Sequence, residues 1–65
     1  MNEMLIVFQR HEFVTDVQYK AGEYRRRQTG SLIDWYKKEQ NEWDPIFDSK
    51  LYDELEFSFM NARSL

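Results

Sequence analysis

Cysteine is absent from this 65-residue chain, histidine and proline occur once each, and glycine only twice. Without cysteine there is no disulfide, no thiol nucleophile and no thiolate metal site. A domain this small must then be held by apolar packing alone. One imidazole, His11, makes a weak zinc site even with Glu12 and Asp16 nearby, and nothing next to Ser31 or Ser58 would activate either hydroxyl as a nucleophile. His11 is expected instead to cap or line the bend after the first strand. Gly22 and Gly30 are not followed by the Gly-Lys-Ser/Thr of a phosphate loop, and the acidic residues from Asp44 to Glu56 lack the central glycine of a calcium loop. No catalytic residue, cofactor or metal is therefore expected, and the chain is read as non-enzymatic.

Long hydrophobic runs are missing too. The longest, Met4-Leu5-Ile6-Val7-Phe8, is far too short to cross a bilayer, and no basic leader precedes it. Absent thiols fit a reducing compartment, so the expected place of work is the cytoplasm. No repeat, low-complexity tract or linker interrupts the chain, and residues 1–65 are read as a single small domain.

Aromatic residues are abundant: two Trp, four Tyr and five Phe make up 17% of the chain. Each buried ring removes a large area from water. A core this small leaves some rings for a partner or a second copy, so a homodimer is one expectation. The net charge of −3 is unevenly distributed. Residues 1–38 carry seven Lys/Arg against five Asp/Glu, whereas residues 39–65 carry two against seven. A basic first half suits phosphates or acidic surfaces; an acidic, aromatic second half suits a basic protein surface.

Along the chain, Met4 to Arg10 is β-branched and aromatic and reads as a strand. Phe13 to Tyr19 and Glu23 to Arg27 form a bent hairpin around Gly22, a natural residue for positive φ. On an extended strand Arg25 and Arg27 share one face while Tyr24 and Arg26 share the other, so the three arginines do not form one patch. Thr29-Gly30-Ser31 is a break. Ser31 as N-cap, Asp34 three residues on, and Leu32, Tyr36 and Trp43 along one stripe predict an amphipathic helix over about 31–43, stopped by Pro45. Asp44-Pro45 then opens a second helix through residue 54. Residues 55–61 fit both templates: Leu55 and Phe59 at helical spacing, and Leu-Glu-Phe-Ser-Phe in strict alternation, with helix preferred. The fold class is α+β: an N-terminal hairpin or small antiparallel sheet packed by the 31–43 helix, then a second helix or helix–strand segment.

The order Val7-Phe8, Tyr19-Lys20-Ala21-Gly22-Glu23 and Leu32-Ile33 resembles a pattern among very small bacteriophage and prophage accessory proteins. There, a strand leads to Tyr-Lys-Ala-Gly-Glu, a second strand follows, and then a short helix. The resemblance spans residues 5–36, about half the chain. Here the strand after Glu23 is arginine-rich rather than apolar, and the last 25 residues have no counterpart. It implies a phage-type accessory protein and carries over no catalytic residues.

The expected function is binding, with inhibition or modulation, of a bacterial host protein through an acidic, aromatic surface formed by Trp35, Trp43, Asp53, Glu54, Glu56 and Phe57. Trp35 and Phe57 are the rings expected to be exposed. Spaced carboxylates there could stand in for the phosphates of DNA. Two other classes stay open. One is a virion-assembly or head–tail component working as a homo-oligomer. The other is a small nucleic-acid binder using Arg25, Arg27 and Lys38, with Tyr24 and Tyr36 nearby, against which the overall acidity weighs.

Overall fold

The computed structural model describes residues 3–64. Five strands precede one helix: β1 (Met4–His11), β2 (Val14–Tyr19), β3 (Gly22–Thr29), β4 (Leu32–Glu39), β5 (Glu42–Pro45) and α1 (Ser49–Arg63). The strands pair antiparallel in chain order, so the sheet is a meander with β1 and β5 at its edges. The fold is α+β, as the sequence implied, with more sheet than the sequence analysis assigned.

Every hairpin connection is two residues long: Glu12-Phe13, Lys20-Ala21, Gly30-Ser31 and Gln40-Asn41. Such loops favour turns with positive φ, whose twist matches that of the flanking strands, and all but Glu12-Phe13 have it here. Gly30 has φ +63° at the first central position of its turn, and Gln40 and Asn41 take φ 50° and 70° in succession, as a type I′ turn requires. Gly22 does not supply the positive φ of its hairpin; Lys20 does, at 54°. Glycine is needed at 22 for another reason: a Cβ there would lie 3.0 Å from the Tyr24 ring, which folds back over it on the same face.

The helix expected over 31–43 is replaced by β4, the turn and the start of β5. Ser31 is a turn residue, not an N-cap. Asp44-Pro45 ends β5 instead of opening a helix, and the backbone N–H of Ile46 donates to the Trp35 carbonyl at 2.9 Å. The short helix that followed the second strand in the phage-type pattern is likewise a strand here. The real N-cap is Asp48, whose carboxylate accepts from Lys50 N at 3.0 Å. From there α1 runs through 55–61, where the helical spacing prevails over the alternation. It does so because Leu55 and Phe59, 0% and 2% exposed, both press onto the sheet.

The core lies between α1 and one sheet face. Met4, Val17, Tyr19, Tyr24 and Trp35 come from the strands, and Leu55 and Phe59 from the helix. Trp35 meets Phe59 edge to face at 5.8 Å. Within this apolar layer sits a polar knot. Glu56 accepts from both donors on one edge of the Arg26 guanidinium, Nε and Nη2, at 2.8 Å each, and its Oε1 also accepts from Trp35 Nε1 at 2.9 Å. Arg26 and Trp35 are direct cross-strand partners on β3 and β4, so one carboxylate bridges both. The Arg26 guanidinium lies 4.5 Å over the Phe59 ring, and its Nη1 donates to Gln28. At the flanks Tyr19 donates to Glu54 at 2.6 Å and Tyr52 donates to the Ile33 carbonyl.

Arg26 holds the Glu56 carboxyl below the usual carboxylate range, with burial opposing and the Trp35 hydrogen bond reinforcing. A lowered folded value means that the stabilisation is fully present above the unfolded value and is lost as pH falls through the folded one. Urea unfolding followed by circular dichroism should therefore show stability declining on acidification below the ordinary carboxylate range, with a shallower decline in Glu56→Gln. Glu56→Ala leaves the Arg26 charge buried and unpaired and is expected to cost about 3–5 kcal/mol, whereas the paired change Arg26→Met/Glu56→Leu should recover most of it. Retention of wild-type stability in Glu56→Ala would contradict this role.

Candidate binding surface on the open sheet face

α1 covers one side of the sheet and no described element covers the other. Strand alternation decides what appears there. Asp16, Arg25 and Tyr36 are successive cross-strand partners, as are Val14, Arg27 and Asp34, and Lys38 stands opposite Trp43. The arginine triplet is thus divided as its alternation required: Arg26 points into the core, and Arg25 and Arg27 point outward.

The outward side chains are organised by two groups, Asp16 and the aromatic rings. Asp16 accepts from Arg25 Nε at 2.6 Å and Nη2 at 3.2 Å, and from Arg10 Nε at 2.9 Å. Arg25 in turn lies 4.0 Å over the Trp43 indole, with Lys38 Nζ 5.9 Å from the same ring. Arg27 lies 5.5 Å over Tyr36 and donates to its hydroxyl at 2.8 Å. Stacking of this kind fixes a guanidinium in orientation while leaving edge N–H groups free for a ligand. A depression of about 380 Å³ lies among Arg10, His11, Arg25, Arg27, Tyr36 and Trp43. Beside it a second, of about 310 Å³, is shared by Val7 and Phe8 of β1 and by Trp43 of β5. Four strand spacings of a flat sheet are about 19 Å, so the face must curl, with its long side chains reaching inward, to bring these residues together.

Charges on this face are mixed. Arg10, Arg25, Arg27 and Lys38 face Asp16, Glu23 and Asp34, and Lys38 reaches Glu23 at 3.7 Å. Burial is the largest influence on the Asp16 carboxyl and works to raise it. The hydrogen bonds and charges of Arg25 and Arg10 together outweigh that, so its pKa is lowered. His11 is engaged locally, its Nδ1 accepting from Phe13 N at 3.2 Å, in keeping with the expected bend role. Among the described residues no three His, Cys, Asp or Glu side chains come together as a metal-ligand set. The face offers cations, flat rings and hydrogen-bond donors, which is the chemistry of recognition.

The six residues expected to form one acidic, aromatic surface are dispersed. Trp35, expected to be exposed, is 1% exposed in the core, because its strand turns it under α1. Glu56 bridges Arg26 and Trp35, and Glu54 is held by Tyr19 and by Lys20 at 3.1 Å. Asp53 and Phe57 lie on the outer side of α1, where Phe57 is 71% exposed as expected, and Trp43 lies on the open sheet face. In contrast, Arg25, Arg27 and Lys38 arrive on one face with Tyr36, while Tyr24 is buried on the other. Asp16 and Arg10 had no such role in the sequence. Their meeting depends on the pairing of β1, β2 and β3, which no local spacing reveals.

The Arg25 Nε–H resonance should report this arrangement directly. It is expected to shift in a single acid titration whose midpoint lies below the ordinary aspartate value, and Asp16→Asn should abolish the step. An unperturbed midpoint would show that Asp16 does not hold Arg25. No family model matches the chain, and no curated protein or solved structure matches it either.

Proposed function

We propose that the protein is a non-enzymatic accessory protein of phage type that binds a bacterial host protein and inhibits or modulates it, and that the open sheet face provides the grip. The observation that carries the choice of surface is the gathering of Arg25, Arg27, Tyr36, Lys38 and Trp43 on the one sheet face that α1 leaves uncovered. Tryptophan, tyrosine and arginine are the residues on which binding energy concentrates, especially around a depression that excludes water. The fitting partner surface is acidic at its rim and apolar at its centre, matching the arginines around Trp43 and Phe8. The host-protein class rests on the resemblance of residues 5–36 to small phage proteins. The acidic helix surface is the weaker choice, since Glu54 and Glu56 are held within the chain.

A second reading, single-stranded nucleic acid, is favoured by the alternation of rings and cations on an open sheet, where bases stack and phosphates pair. Asp16, Glu23 and Asp34 on the same face, and the net charge of −3, favour a protein partner instead.

The test is capture by the tagged chain from nuclease-treated bacterial lysate, identified by mass spectrometry. One stoichiometric host protein is expected, with affinity falling on the order of 30-fold in Trp43→Ala and in Arg27→Glu, and unchanged in Phe57→Ala. Loss in Phe57→Ala alone would move the grip to α1 and overturn the sheet-face assignment. Capture that nuclease removes, with binding to single strands that weakens steeply with salt, would establish the nucleic-acid reading. Large closed rings in scattering, with nothing captured, would establish an assembly role.

A further inference from the structure

We propose that two copies of this chain pair through their β1 strands, antiparallel, to form one continuous ten-stranded sheet. The two edges of the meander are unequal. β5 is four residues long and ends in Pro45, which has no N–H to donate, so that edge is blunt. β1 is eight residues long and carries no proline, and among the described residues nothing pairs with its outer side. Along it Leu5, Ile6, Val7 and Phe8 are 65%, 41%, 61% and 55% exposed. A long apolar edge with free backbone N–H and C=O groups is a template for another strand.

The strand is also complementary to itself. Its charges stand at its ends with opposite sign, Glu3 just before it and Arg10 near its close. Antiparallel pairing centred between Ile6 and Val7 sets Glu3 of each copy opposite Arg10 of the other. Arg10 uses Nε on Asp16 and keeps its remaining N–H groups for Glu3. In a regular strand that register fails, because residues paired across it would lie on opposite faces. The irregularity between Ile6 and Phe8 corrects this for the pairs on either side of the central Ile6–Val7 pair, where the two bulges meet. Leu5 partners Gln18 and Phe8 partners Asp16, both on the open face, while Met4 partners Tyr19 and Gln9 partners Thr15, both under α1. Leu5 therefore meets Phe8 of the second copy, and Met4 meets its Gln9, face matching face. A bulge that blunts most edges instead makes this one its own complement.

Sedimentation equilibrium and light scattering of the full chain, over a wide concentration range, test the pairing. The expected particle has twice the 8.0 kDa chain mass and goes no further, since two β1 edges close on each other. Phe8→Lys and Leu5→Lys, at positions exposed in the single chain, should each give 8.0 kDa particles with an unchanged far-ultraviolet circular dichroism spectrum. Because the chain has no native cysteine, register can be read by oxidation. A mixture of Leu5→Cys and Phe8→Cys proteins should cross-link as the mixed pair in preference to either like pair. A single-chain mass at every concentration, open-ended growth, a dimer that survives both lysine variants, or preferred like-pair cross-links would each overturn the proposal.

Discussion

Everything else in this protein depends on the Glu56 carboxylate, which ties one helix to two strands. It takes both donors on one edge of the Arg26 fork and the indole N–H of Trp35, and these two residues are already cross-strand neighbours. An arginine in a core of this size is tolerable only when its charge is met and its donors are used. Phe59 under the guanidinium, and Gln28 beside it, complete that condition. The knot is directional in a way that apolar contact is not. Leu55 and Phe59 would pack at many rotations of α1, but only one rotation also delivers Glu56 to Arg26 and Tyr52 to the Ile33 carbonyl.

From this follows the division of labour on the sheet. A strand places alternate residues on opposite faces, so committing Arg26 to the helix side commits Arg25 and Arg27 to the other. The same holds on β4, where Trp35 goes under and Tyr36 and Lys38 go over. The open face thus gains its cations and rings from the same residues' neighbours that build the core. Asp16 and the aromatic rings then hold those cations in place, so the surface is pre-organised, which lowers the ordering cost of binding. Glu54 and Glu56, which looked available in the sequence, are used up in positioning α1, and this is why the proposed grip is placed on the sheet.

The sequence made part of this visible. The α+β class, the split of the arginines, the local role of His11, the exposure of Phe57 and the helical spacing from 49 onward were readable from spacing and alternation, although that helix was expected to open at Asp44-Pro45 and instead begins at Ser49. The segment 31–43 was not. Leu32, Tyr36 and Trp43 fall on one helical stripe, yet Ile33 and Trp35 also alternate with Asp34 and Tyr36, and eight residues cannot distinguish the two templates. The deciding signal was the turns, at 20–21, 30–31 and 40–41, evenly ten residues apart, as in an antiparallel meander. Gly22 beside Lys20-Ala21 marked the first as a hairpin and Gly30 marked the second as a break, but Gln40-Asn41 contains no glycine and does not announce itself. The burial of Trp35 was lost with that element, and the Arg26–Glu56 pairing, thirty residues apart, needs the tertiary fold to exist at all.

The most direct test of a sheet clamped on one face and open on the other uses the two tryptophans as reporters. Trp35 is 1% exposed with its indole N–H on Glu56, while Trp43 lies half-buried on the open face under Arg25. Hydrogen exchange of the two indole protons, followed by NMR, should give one slow proton that exchanges only on unfolding and one fast proton. Two fast protons, or protection of Trp43 in place of Trp35 in the isolated chain, would contradict the account.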